Sequence, residues 1–232
     1  KHSALALMKA GYAVVLAGRR KDALEQTAAE GKASGARTLV VPTDVADPAS
    51  VKALFAKVKE GFGRLDVLFN NAGGSSARDG RVTEAPDDEL WRVLRLDLQG
   101  TWNCCKHAIP HLQRAGGGSV INMSSMVAVS PTVGRDAYTS AKGAVVALTH
   151  SMAREYVADR IRVNAIAPAA VSTDRIKMLL ETVPNARSIV SRQQLGLIEP
   201  AEIAWASVYL ASDESRTLTG QVIAIHAGTF EG

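Results

Sequence analysis

The sequence predicts an α/β fold: a parallel sheet covered by helices on both faces, in a doubly wound, three-layer arrangement. Three observations predict it. Short apolar runs such as "YAVVLAG", "RTLVVPTDV" and "IRVNAIAPA" show no polar alternation, the mark of strands buried on both faces. Helical stretches separate these runs, so strand and helix alternate along the chain. A length of 232 residues, 47% apolar and 22% charged, suits one domain with a core large enough to be stable alone.

The elements follow in order. "KHSALALMKAG" reads as a helix already under way, closed by Gly11 as a C-cap. "YAVVLAG" is a strand, "KDALEQTAAEGKASG" a helix, "RTLVVPTDV" a strand, "PASVKALFAKVKEGFG" a helix and "LDVLFNNAGG" a strand. A polar loop leads into a long helix from about Asp87 to Ala115, then the strand "GSVINMSS" and a helix that carries Tyr138. "IRVNAIAPA" is a strand, about Ala201 to Ala211 a helix, and "GQVIAIHAG" the last strand. No linker, repeat or low-complexity segment interrupts them, so residues 1–232 read as a single domain.

Bulk charge excludes some partners. The net charge of +4 carries no basic run, which speaks against nucleic acid. No apolar stretch approaches the ~20 residues of a membrane span, and no signal peptide is expected. Cys104 and Cys105 are adjacent, too strained a geometry for a mutual disulfide. They suit a reducing cytoplasm as small apolar residues.

The chemistry concentrates between Ser124 and Lys142, "SSMVAVSPTVGRDAYTSAK". Tyr138 and Lys142 are four apart and share one helix face. An ammonium near a phenol favours phenolate, so Lys142 is expected to lower the Tyr138 pKa from about 10. Tyr138 then serves as proton donor and acceptor near neutral pH. Ser125 ends a buried strand and adds a second hydroxyl toward the same oxygen, an arrangement suited to a carbonyl becoming an alkoxide.

With "NNAG" upstream and "RVNAIAP" downstream, the whole chain resembles the short-chain dehydrogenase/reductase family. That resemblance implies a Rossmann-type sheet and an NAD(P)-dependent oxidoreductase in which Ser125, Tyr138 and Lys142 are catalytic. It implies cofactor contacts from Asp44, Val45, Asn71, Ala72, Gly73, Tyr138, Lys142, Pro168, Val171 and Thr173. Where the family places an asparagine that holds a relay water, this chain has Asp97, which is expected to join the catalytic residues by filling the relay role with an altered pH profile and, near Lys142, to stabilise the ammonium and alter its effect on Tyr138. Where an NAD-selective fold places an acid, Gly18 stands before Arg19 and Arg20, which favours NADP and leaves NAD possible. Ala169 replaces a glycine, at a cost if that position needs φ > 0. Homotetramers are implied as well.

One departure is larger. The family begins with a strand and a glycine-rich turn that brings the backbone to a pyrophosphate. Neither precedes "KHSALALMKAG". That strand would be central, between "YAVVLAG" and "LDVLFNNAGG", so a natural chain longer at its N-terminus is expected. The segment of about 174–200 is expected to form a lid, mixing Met178, Leu179, Leu180 and Val183 with Arg187 and Arg192. It suits an apolar ketone or an acyl chain on an anionic carrier, among small keto, 3-oxoacyl or hydroxy compounds. His107 and His111 lack a third ligand, and no metal is expected. The competing reading is a catalytically weak dinucleotide-binding or regulatory protein on the same fold. An epimerase or dehydratase using the same three residues is a third.

Overall fold

The computed structural model describes residues 1–130, 133–182 and 190–229. Val183 and Arg187 of the expected lid lie outside these. Six strands run β1 Val14–Gly18, β2 Thr38–Pro42, β3 Val67–Asn70, β4 Gly118–Met123, β5 Ile161–Pro168 and β6 Val222–Ile225. Eight helices carry the argument: α1 His2–Lys9, α2 Lys21–Gly31, α3 Pro48–Phe62, α4 Asp87–Val93, α5 Gly100–Ala115, α6 Asp136–Glu155, α7 Asp174–Thr182 and α8 Pro200–Ala211.

All the strand pairs are parallel, and the order is β2-β1 and then β3-β4-β5-β6. The sheet parts between β1 and β3, so it is two hydrogen-bonded units rather than one. The parting falls where the resemblance places a further strand. It is also where the winding reverses, the position at which open α/β sheets bind ligands.

Neighbouring residues on β4 show why both faces are covered. Val120 packs with Ile109 and Leu112 of α5 and Met152 of α6, while Ile121 packs with Leu210 of α8. Successive strand residues point to opposite faces, so an unbroken apolar run needs helices on each. A second cluster joins Val51, Leu54, Phe55 and Val58 of α3 to Cys104 and Ala108 of α5. Val15 of β1, Val41 of β2 and Leu68 of β3 pack against it. Helix packing therefore holds the two units together across the parting. On the other face α1 lies along α8, with the Ser3 and Ser207 hydroxyls 3.3 Å apart.

The helix expected over Asp87–Ala115 has a widened π-helical stretch at Leu94–Gln99 between α4 and α5. Such insertions are frequent at functional sites. Gly100 follows it because a Cβ there would sit 2.7 Å from Val45 Cγ2. Gly11 has φ +91° just beyond α1 and donates to Met8 O, as a C-cap glycine does.

Leu112 is fully buried between β4 and the helices. A Leu112→Ala variant is expected to lose about 2–5 kcal/mol in urea denaturation, as a core cavity costs.

Candidate active site

Tyr138 is on the first turn of α6, and that turn is anchored from a distance. Asp79, in the loop after β3, accepts the backbone N–H of Tyr138 at 2.9 Å and of Ala137 at 3.2 Å. A carboxylate on free N–H groups at a helix start satisfies donors and favours the helix dipole. Ser125 lies two residues beyond β4, where its Oγ accepts the Val127 N–H at 3.4 Å. Its hydroxyl also acts on the Tyr138 phenol, drawing its pKa down. Lys142 Nζ stands 5.6 Å from the Tyr138 ring centre.

Lys142 is not a free ammonium. Its Nζ lies 2.9 Å from Asp97 Oδ1, and the two side chains are 3% and 0% exposed. It also donates to Met123 O at 2.8 Å. Both Asp97 carboxylate oxygens accept the Gly74 N–H at 3.1 Å. Glycine is required at 73, where a Cβ would run into the Asp97 carboxylate and come within 3.1 Å of Lys142 Nζ.

The expected fall in the Tyr138 pKa is not what this arrangement produces. Burial raises it, and the Asp97 charge raises it further. The hydrogen bond from Ser125 and the charges of Arg135 and Arg175 pull it back. The net direction is upward. The expected altered effect of Lys142 has its cause here: Asp97 is a buried counter-ion to that charge, and with burial it outweighs the lowering the sequence suggested.

A second, half-buried ion pair braces the loop beside the site. Glu89 is fully buried, accepts from Ser76 at 2.7 Å and pairs with Arg92 at 2.7 Å. The Arg92 contact holds its carboxyl down to about 2, against burial. Arg92 Nη2 also donates to Gly74 O at 3.3 Å. Sequence reasoning missed Glu89, Arg92, Ser76 and Asp79. Their partners lie up to 59 residues away or inside an apparently polar loop, and no local pattern announces them.

The residues expected at a dinucleotide are placed as follows. Arg19 and Arg20 are exposed just past β1. Asp44 follows β2, with its Oδ1 accepting the Ala46 N–H at 3.0 Å, and Val45 O accepts from Asn103 at 3.0 Å. Asn71, Ala72 and Gly73 are exposed beyond β3, while Asn70 is buried and donates to Asn122 at 2.9 Å. Pro168 ends β5. Val171 pairs with Ile198, and Thr173 Oγ1 accepts the Ile176 N–H at 3.4 Å at the start of α7. Ala169 has no strain to explain, since Arg160 and Ala227 are the non-glycine residues with positive φ among those described. All these groups border the carboxyl ends of the strands. The open backbone at Gly73, with no room for a side chain, fits a flat group laid against Lys142.

His107 and His111 both pack against the Phe55 ring, at centroid distances of 6.0 and 5.8 Å. Burial pushes the Cys104 and Cys105 thiols up to about 11 and 12, which suits packing rather than reactivity.

Comparison with known proteins agrees with this geometry. A family model described as Enoyl-(Acyl carrier protein) reductase matches residues 1–229. The chain is 33% identical to a 7alpha-hydroxysteroid dehydrogenase of Clostridium sardiniense, over 97% of this chain and 87% of that protein. It is 37% identical to a cis-4-hydroxycyclohexanecarboxylate dehydrogenase of Sinomonas cyclohexanicum, over 96% and 88%. A solved short-chain type dehydrogenase/reductase from Mycobacterium ulcerans superposes with a TM-score of 0.93 at 30% identity, covering 98% of this chain and 84% of that one. ElxO with NADP bound gives 0.91 at 29% over 98% and 92%, and an NAD+-bound xylitol dehydrogenase gives 0.90 at 26% over 97% and 92%. A shared fold, matching length and the Ser125–Tyr138–Lys142 cluster at the sheet edge lead to one conclusion: the chain belongs to the short-chain dehydrogenase/reductase family of oxidoreductases.

Proposed function

We propose that this site interconverts a secondary alcohol and a carbonyl on a small molecule, with Tyr138 moving the proton. The observation that carries the reading is the meeting of Ser125 and Lys142 on one tyrosine at the carboxyl edge of the sheet. Gly73 would border a bound nicotinamide, whose chemistry would be to supply or take the hydride. The Tyr138 hydroxyl donates its proton to the substrate oxygen in reduction and accepts it in oxidation. Ser125 holds that oxygen with a second hydrogen bond, strongest when the oxygen carries charge. An ammonium has three N–H donors, and Asp97 and Met123 O take two. The third is available to a ribose hydroxyl. Asp97 positions Lys142 directly and takes the place of a residue that would act through water.

NADP is the favoured cofactor. Arg19 and Arg20 end β1 without an acid beside them, and guanidinium groups bind phosphate as a fork. The NADP-bound and NAD+-bound neighbours support the cofactor class and leave the choice to these arginines. Pro168, Val171 and Thr173 would hold the carboxamide end, and Asp44 and Val45 the adenine. Residues 1–232 include no glycine-rich turn for the pyrophosphate. The substrate is a keto, hydroxy or 3-oxoacyl compound, covered by the segment of about 174–200. The relatives that act on a hydroxysteroid and a hydroxycyclohexanecarboxylate support a hydroxylated ring as one such class. We infer a single catalytic domain and a homotetramer, supported by Trp91 and Trp102, 57% and 56% exposed on α4 and α5. Two buried thiols support a reducing compartment such as the cytoplasm.

A panel of ketones and alcohols followed at the nicotinamide absorbance with both cofactors tests the reading. Tyr138→Phe should reduce kcat by roughly 10²–10⁴-fold with the fold intact by circular dichroism. If cofactor binds but no compound turns over, the weakly catalytic alternative is correct. Arg19→Asp should reduce the NADPH-over-NADH preference in kcat/KM by about tenfold or more.

The pH dependence has a fixed sign. Tyr138 accepts a proton only when ionised, so alcohol oxidation rises with pH through its raised pKa. Asp97→Asn removes a charge that raises this pKa and leaves the Lys142 ammonium without its counter-ion. The rising limb of kcat/KM for oxidation should move to lower pH, and the falling limb for reduction should move the same way. An unmoved profile would make Asp97 purely structural.

A further inference from the structure

Not every cation at the mouth of the site is matched by an acid in an ion pair. Lys142 is paired with Asp97, Arg92 with Glu89 at 2.7 Å, and Arg78 with Asp88 at 2.6 Å. Asp79 is occupied by the start of α6, and Asp136 by the Val82 N–H at 2.7 Å. Two guanidinium groups are left over. Arg135 immediately precedes α6, and Arg175 lies in the first turn of α7. Among the described residues neither is in an ion pair. Asp174 adjoins Arg175 in sequence, but successive helical residues do not face one another.

Arg175 reaches across to the loop after β3. Its Nη2 donates to Ser75 Oγ at 3.1 Å, and its Nη1 is 3.6 Å from where a Gly74 side chain would begin. The Gly74 N–H in turn binds Asp97, so the guanidinium stands beside the residue that touches the buried pair. Arg135 and Arg175 both act electrostatically on Tyr138, drawing its pKa down. Their fields therefore reach the reacting hydroxyl from two different elements. A serine hydroxyl occupies only one side of a five-donor fork whose geometry matches an oxyanion.

We propose that the substrate carries an anionic group, a carboxylate or a phosphate, bound by Arg175 while its alcohol or carbonyl carbon faces Tyr138 and Ser125. This rests on the oxidoreductase reading of the same site and adds to it the class of substrate. Anion binding at this point places the reacting carbon by a charge-assisted, two-pronged contact. The Ser75 hydroxyl is the neutral partner that the oxyanion displaces.

The test compares acids with neutral twins on the full chain. 4-Oxopentanoate, 5-oxohexanoate and 4-oxocyclohexanecarboxylate are set against their methyl esters, and dihydroxyacetone phosphate against dihydroxyacetone. In at least one pair the anion should have roughly ten- to hundredfold higher kcat/KM. The phosphate and carboxylate arms identify which anion is used. Arg175→Gln should collapse the anion-to-neutral ratio, chiefly through KM, and raising ionic strength should lower kcat/KM for the wild-type anion alone. Arg175 is exposed, so the variant should fold, and the salt dependence needs no variant. Neutral twins turned over as well as the anions overturn the anionic class and leave the oxidoreductase reading standing. A ratio that survives Arg175→Gln overturns the assignment to Arg175. A panel silent with both cofactors overturns the parent reading, and this proposal with it.

Discussion

The buried pair of Asp97 and Lys142 is the constraint on which the rest of the site depends. Two opposite charges at 2.9 Å with almost no exposure are expensive to desolvate and are stable only together. Replacing such a pair with apolar residues is often neutral for stability, whereas stranding one charge costs about 3–5 kcal/mol. Its value is therefore in specifying one arrangement. Four pieces of chain meet at it: the π-helical stretch with Asp97, α6 with Lys142, the end of β4 through Met123 O, and the loop after β3 through the Gly74 N–H. Moving any one of them leaves a buried donor or charge without its partner.

That pairing changes how the tyrosine is tuned. A free ammonium would act on the phenol alone, but Asp97 brings an opposing charge into the same space, and burial adds to it in the same direction. At effective dielectric constants near ~20 such charges interact by several kcal/mol at contact and by less with distance. Burial is the largest contribution and the direction is upward. The downward influences come from Ser125 and from two arginines outside the catalytic cluster. The proton affinity of Tyr138 is thus set partly by groups at the mouth, where substrate charge would add to or offset them.

What was legible in the sequence was what has a local period. The alternation of apolar runs and helices gave the order of elements, and the four-residue spacing of Tyr138 and Lys142 put them on one helical face. The family resemblance placed a further strand between β1 and β3, and the sheet parts at that position. What was not legible depends on pairs far apart in the chain. The sign of the Tyr138 shift turns on Asp97, 41 residues earlier, meeting Lys142 rather than water. The Glu89–Arg92–Ser76 brace ties α4 to a loop that reads as ordinary polar surface, and the Asp79 cap joins residues 59 apart. The doubt over Ala169 was a question of one dihedral angle, which composition cannot answer.

The parting of the sheet assigns a mechanical role to one short segment. Arg19, Asp44 and Val45 lie on the two-stranded unit, while Gly73, Ser125 and Pro168 lie on the four-stranded one. Among the described residues no strand hydrogen bonds connect β1 to β3, and helix contacts bridge the two units. The start of α5 supplies them. Gly100 is packed against Val45, and Asn103 donates to Val45 O at 3.0 Å, while Asp97 one turn earlier grips Lys142. Thr101 Oγ1 donates to Asp97 O at 2.8 Å and stiffens the junction. Residues 97–103 therefore hold both units at once, and the widened helical turn that begins this segment points Asp97 inward while Gly100 faces the other unit. The aspartate that pairs with Lys142 and the glycine that admits Val45 are two ends of one device, which ties the buried ion pair to the placement of the loop after β2.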